Sequence, residues 1–159
     1  MDSSPSDSYL YYEAGQAVAA AHLGYTVRII SANPAVQATD IQLPRNNPKA
    51  RLILWLTGMA AEKRALGKSD PLRRTRNRQR VRAQVDAVMA ELTGSNAKRQ
   101  AQARKLLNQS QDRANSIIAS LFEAVEVLAE RLRVQPSLSG EEVIAAVTTV
   151  KANRRRAAS

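Results

Sequence analysis

Residues 9–23 read YLYYEAGQAVAAAHL, an almost continuously apolar segment with few strongly polar side chains. Ser8 or Asp7 can cap a helix here that runs to about His22, and Gly24 is well suited to end it. A helix that is apolar on nearly all sides is usually buried. We therefore expect this segment to form a buried helix of the fold.

The rest of the chain predicts a small sheet and then further helices. The predicted strands span residues 25–32 and 36–43, and the later helices about 48–66, 70–94, 96–133 and 139–151. Apolar side chains at helical spacing, a proline in a first turn, and a Ser-x-x-Glu capping box support the helices. We expect the longest helix to bend near residues 108–110. The expected fold is mainly α, with one small β-hairpin near the N-terminus.

The organisation of the chain is that of one domain. Its 159 residues can bury a real core, and we find no internal repeat and no domain boundary. We expect a flexible leader over residues 1–7, a single domain over 8–152, and a basic, frayed tail over 153–159.

Composition limits the chemistry that the protein can perform. The chain has no cysteine, which excludes disulfides, thiolate metal sites and cysteine nucleophiles. This composition suits the cytoplasm, and no apolar run reaches the roughly 20 residues needed to span a bilayer. The net charge of +10 favours an anionic partner.

Four segments carry a resemblance to a known family. Residues 12–18, YEAGQAV, resemble the H-E-A-G-H-A-V segment of the FtsH-type zinc peptidases, and residues 56–62, LTGMAAE, are similar to that family's Gly-x-Ala-Ala-Glu helix. Residues 124–132 and 138–143 look like the closing helices of small stand-alone relatives. The resemblance covers roughly residues 9–150 and implies an FtsH-peptidase-like helical domain.

The resemblance also assigns positions to a vestigial site. In the family, two histidines at i and i+4 bind zinc, a glutamate activates the metal-bound water, and a later carboxylate is the third ligand. The corresponding positions here are Tyr12 and Gln16 for the histidines, Asn77 for the carboxylate, and Glu13 for the general base. Tyrosine and glutamine are poor zinc ligands beside imidazole. We therefore expect no zinc, no other cofactor and no catalytic residue.

These losses favour a non-catalytic, pseudo-peptidase function. We expect a binding, regulatory or assembly role towards an anionic partner, either another protein or a larger assembly. One alternative is a peptidase with a rearranged site that uses Glu13. No feature of the sequence indicates an oligomeric state.

An arginine cluster supports a second alternative, which is nucleic-acid binding. It crowds the first turns of the helix that starts near Asp70 and comprises Arg73, Arg74, Arg76, Arg78, Arg80 and Arg82. Cations at a helix N-terminus oppose the helix dipole, so their presence suggests a compensating contact such as phosphate. The other interpretation is a solvated basic face. The tyrosines lie far from these arginines in sequence, so the sequence does not support a stacking platform. If nucleic acid binds, we expect backbone contacts without sequence reading.

Overall fold

The computed structural model describes residues 6–43 and 45–159. These residues form, in chain order, α1 (Asp7–His22), β1 (Val27–Ser31), β2 (Asp40–Ile41), α2 (Pro48–Leu66), α3 (Pro71–Met89), α4 (Asn96–Val134), β3 (Ser137–Ser139) and α5 (Gly140–Ala157). The predicted fold class, mainly α with a small sheet, is confirmed. Most of the predicted leader, residues 1–5, lies outside the described part of the chain.

Local signals set most of the helix ends. Pro48 occupies the first turn of α2, and Gly67 ends that helix with a φ of 72°, a left-handed conformation that glycine adopts readily. The Asp70 carboxylate caps α3 by accepting a hydrogen bond from a first-turn amide at 2.8 Å. Ser139 and Glu142 form the predicted capping box of α5. These four signals act within one helical turn, and each begins or ends a helix where the sequence predicts.

Three other helix boundaries differ from the prediction. The side chain of Ser6 caps α1, so the helix begins at residue 7 and not after a cap at Asp7 or Ser8. Helix α3 ends at Met89, before the predicted end near residues 93–94. Helix α5 continues to Ala157, so most of the predicted frayed tail is helical.

The sheet contains one strand that the sequence analysis did not anticipate. Its order is β2–β1–β3, with antiparallel neighbours, and Ile30 of β1 pairs with Leu138 of β3. Strand β3 is too short to show an alternating pattern, which explains why it was missed. The predicted return strand over residues 36–43 shortens to β2, and Val36 is 80% exposed.

Helix α4 bends at Leu121, where φ is −121°, and not at residues 108–110 as predicted. The hydroxyl of Ser120 donates to the carbonyl oxygen of Ile117 at 3.0 Å. In a regular helix that oxygen accepts from the amide of Leu121, so the hydroxyl competes at the position of the bend. The hydrogen bond from the Ser120 hydroxyl to the backbone of its own helix therefore explains the position of the bend.

Helix α1 lies at the centre of the core, as its composition predicts. Leu10, Ala14, Ala17 and Val18 are at most 1% exposed. A Cβ atom added to Gly15 would lie 2.4 Å from the Cβ of Ala61 in α2. Glycine at this position therefore allows the two helices to pack closely.

Helix α3 lies at the edge of the molecule. Only Asn77, Val81 and Met89 of this helix are buried among the described residues. Its remaining side chains are exposed or half-buried, including the arginines. Over the ranges 6–43 and 45–159, no helix is both long and apolar enough to cross a membrane.

Candidate functional site

A cleft of about 600 Å³ opens between α1, α3 and the segment that leads into β2. Tyr9 and Glu13 line it from α1, and Arg73, Arg76 and Arg80 line it from α3. Helical spacing places these three arginines along one side of α3, because positions three to four apart share a face. The cleft therefore brings together residues that the sequence analysis selected separately.

The three predicted vestigial metal positions meet in one hydrogen-bond network. The hydroxyl of Tyr12 donates to Asn77 Oδ1 at 2.8 Å and accepts from Gln16 Nε2 at 3.1 Å. Gln16 also donates to the carbonyl oxygen of Leu54 at 3.3 Å, and Asn77 donates to that of Trp55 at 3.4 Å. The network cross-links α1, α2 and α3.

Local geometry explains why this network forms. Tyr12 and Gln16 are four residues apart on α1 and so lie on one face of the helix. Gly58 of α2 makes room for the tyrosine ring, because a Cβ there would lie 2.7 Å from a ring carbon. Nothing in the sequence indicated this role of Gly58, since the contact depends on how α1 packs against α2.

Tyr12, Gln16 and Asn77 are a poor set of zinc ligands. Burial raises the pKa of Tyr12 to about 12, which opposes formation of the phenolate that a metal would need. The hydroxyl and the two amides already use each other as partners. Within residues 6–43 and 45–159, no three His, Cys, Asp or Glu side chains converge as a metal-binding group.

Glu13 is the buried acid of the cleft. The residue is 8% exposed, and its Oε2 atom has no hydrogen-bond partner in the described part of the chain. Burial raises the pKa of this carboxyl group. Hydrogen bonding from the hydroxyls of Thr39 and Tyr9 and the positive charges of Arg73 and Arg80 oppose that shift. An ionised Glu13 would therefore gain from any donor that enters the cleft.

A second buried acid, Glu62, lies beside the cleft in an ion pair. Its Oε1 atom accepts from Arg73 Nη1 at 3.1 Å and from the amide of Asp70 at 2.6 Å, and it also accepts from the hydroxyl of Ser8. The pair joins α2 to the start of α3. Glu62 lies in the segment over residues 56–62 that carries part of the family resemblance, but the sequence analysis did not identify this pairing.

Aromatic rings lie against the arginines, although their distance in sequence did not support a stacking platform. The guanidinium of Arg80 lies 4.5 Å from the ring centre of Trp55, and that of Arg73 lies 5.6 Å from Tyr9 and 5.2 Å from Tyr12. Helix packing places residues side by side that are distant in sequence. These separations are typical of cation–π contacts.

The arginine cluster divides into two groups. Arg73 is half-buried in its ion pair, and Arg76 and Arg80 extend along the cleft. The remaining members are exposed and do not line the cleft, and they are Arg74, Arg78 and Arg82. The cluster therefore supplies both a wall of the cleft and an outer basic face.

The arrangement combines an acceptor on one wall with several donors on the other. Glu13 offers carboxylate oxygens, and the α3 arginines offer guanidinium groups for an anion. No protein-family model matches the chain, and no curated protein matches it in sequence.

Proposed function

We propose that this chain is a non-catalytic, FtsH-peptidase-like protein that binds an anionic partner in the cytoplasm. The hydrogen-bonded set of Tyr12, Gln16 and Asn77 supports the loss of catalysis. Side chains that would have to face a metal instead satisfy one another, so Glu13 has no metal-bound water to activate. The partner would be an acidic protein, a larger assembly or a nucleic acid.

The metal content of the purified, untagged protein tests the loss of catalysis. The protein would be equilibrated with zinc, freed of excess metal and analysed by elemental mass spectrometry. We expect no stoichiometric zinc. About one zinc ion per chain would contradict the proposal, and casein cleavage by the protein and by Glu13→Gln would then test for a working peptidase.

A triple variant tests the residue-level resemblance. Tyr12→His, Gln16→His and Asn77→Asp together supply two imidazoles and a carboxylate, which is a conventional zinc ligand set. We expect zinc affinity in the triple variant and weaker affinity in a matched double variant that retains Asn77. A triple variant that folds, by circular dichroism, but binds no zinc would contradict the assignment of these positions.

Nucleic acid is the second candidate function, favoured by the exposed arginines on the outer face of α3. Phosphate contacts release condensed counterions, so binding should weaken steeply as salt increases. Replacing Arg74, Arg78 and Arg82 with alanine should reduce the slope of log affinity against log salt by about one for each arginine that neutralises a phosphate. A salt-independent affinity would argue against this candidate and towards a protein partner.

A further inference from the structure

Any molecule that fills the cleft must match two walls whose chemistry differs. Glu13 is more than nine-tenths buried, and its Oε2 has no hydrogen-bond partner among the described residues, although the hydroxyls of Thr39 and Tyr9 lie close to the carboxyl group. A buried polar atom without a partner is costly, and a ligand with N–H groups would remove that cost. Across the cleft, Arg76 and Arg80 present guanidinium groups that match an anion.

Aromatic side chains add a third requirement. Trp55 lies under the guanidinium of Arg80, and the half-buried ring of Tyr9 lies near that of Arg73. Planar guanidinium groups and aromatic rings both form surfaces on which a nucleobase can stack. The cleft volume of about 600 Å³ falls within the range of about 300–1,000 Å³ that is usual for small-molecule pockets.

We propose that the cleft binds one unpaired guanine nucleotide of a nucleic-acid strand, with the base edge at Glu13 and the phosphate at the α3 arginines. This inference rests on the proposed anion-binding function and specifies its ligand. Guanine carries adjacent N1–H and N2–H donors on its Watson–Crick edge, and the two oxygens of one carboxylate can accept both. An acidic peptide would satisfy the arginines without supplying a planar pair of donors.

The strand must be single-stranded at this position. In a duplex, the Watson–Crick edge of guanine is paired with cytosine and cannot reach a carboxylate. Single-stranded nucleic acid is commonly recognised by stacking of splayed bases and by hydrogen bonds to that edge. The outer arginines, Arg74, Arg78 and Arg82, would then contact neighbouring phosphates.

Fluorescence anisotropy with labelled oligonucleotides tests the inference. The probes are a short uridine tract with one central guanosine, the same tract with inosine, the uridine tract alone, and the guanosine tract as a duplex. Inosine lacks the N2 amino group, so we expect guanosine to bind about tenfold more tightly than inosine, the discrimination usual for a bidentate base contact. DNA versions of the same probes determine whether RNA or DNA is preferred.

Two matched comparisons of variants locate the contact. Glu13→Gln replaces one acceptor oxygen with a donor, so the ratio of guanosine to inosine affinity should fall to about one. Arg76→Ala and Arg78→Ala remove the same charge from the same helix, but only Arg76 lines the cleft. Arg76→Ala should weaken guanosine binding several-fold more than Arg78→Ala does.

The possible failures separate the two proposals. Equal affinity for all single strands, unaffected by Glu13→Gln, would overturn the guanine inference but leave an anionic partner in place. Binding of polyglutamate without binding of any oligonucleotide would overturn it in favour of an acidic protein partner. If neither polyanion bound at low salt, both the inference and the proposed function would be wrong.

Discussion

The two buried glutamates, Glu13 and Glu62, are held in different ways. Oε1 of Glu62 accepts hydrogen bonds from Arg73, Ser8 and the amide of Asp70, and the residue is fully buried. Glu13 faces the cleft, and its nearest arginines act on it through space without forming an ion pair among the described residues. Both residues are therefore buried, but only Glu62 is held in an ion pair among the described residues.

This difference separates a structural acid from a candidate binding acid. Glu62 joins α2 to the start of α3, so its charge is compensated within the fold. Oε2 lacks a hydrogen-bond partner in both glutamates among the described residues, but only Glu13 lines the cleft and has no ion pair there. A buried acid is thus a candidate for function when no ion pair compensates it and it faces a cleft, and burial by itself does not identify one.

The largest expected effect on folding stability is at Glu62. Removing one partner of a buried ion pair leaves the other charge uncompensated, so Glu62→Ala should lower the free energy of unfolding by about 3–5 kcal/mol. Chemical denaturation would measure the loss. Glu62→Gln keeps an acceptor oxygen and should cost less, while a loss below about 1 kcal/mol for the alanine variant would remove the contrast with Glu13.

An intermediate effect is expected at Tyr12, which forms the wall beside Glu13. Tyr12→Phe removes the only hydroxyl that donates to Asn77 Oδ1 among the described residues, at a cost of about 1–3 kcal/mol for the buried acceptor. Tyr25→Phe is a matched control, because Tyr25 is half-buried and its hydroxyl has no hydrogen bond to the described residues. Equal stability of the two variants would show that the network contributes nothing to folding.

The smallest expected effect on folding stability is at Glu13, and there the substitution should stabilise the protein. The pKa of this carboxyl group is raised in the folded protein above its ordinary value of 4.5, so folding favours the protonated form. Glu13 therefore destabilises the fold increasingly as pH rises from about 4.5 through the folded pKa, where the carboxyl group ionises. Glu13→Gln should raise Tm above that of the unaltered protein at pH 8, and the difference should disappear near pH 4.

Thermal unfolding followed by circular dichroism across this pH range would measure the difference. Glu62→Gln is the matched control, because its loss of stability at neutral pH should have the opposite sign. A Glu13→Gln variant that is less stable at pH 8 would mean that the ionised carboxylate already has partners in the fold. In that case Glu13 would resemble Glu62, and the distinction between the two sites would fail.

The sequence by itself determined those features that depend on neighbours within one helical turn. The capping box of α5, the proline and glycine at the ends of α2, and the burial of α1 all follow from local pattern. These signals predict the fold class because they set where each helix begins and which helix is buried. The sequence also placed Tyr12, Glu13 and Gln16 on one helix.

Only the tertiary structure decided which partners these residues have. The hydrogen bond between Tyr12 and Asn77 joins positions 65 residues apart, and the sequence related them only through a family resemblance. The pairing of Glu62 with Arg73 and the stacking of Arg80 on Trp55 carried no sequence signal at all. Such contacts depend on the angle and depth at which helices pack, which local propensity does not specify.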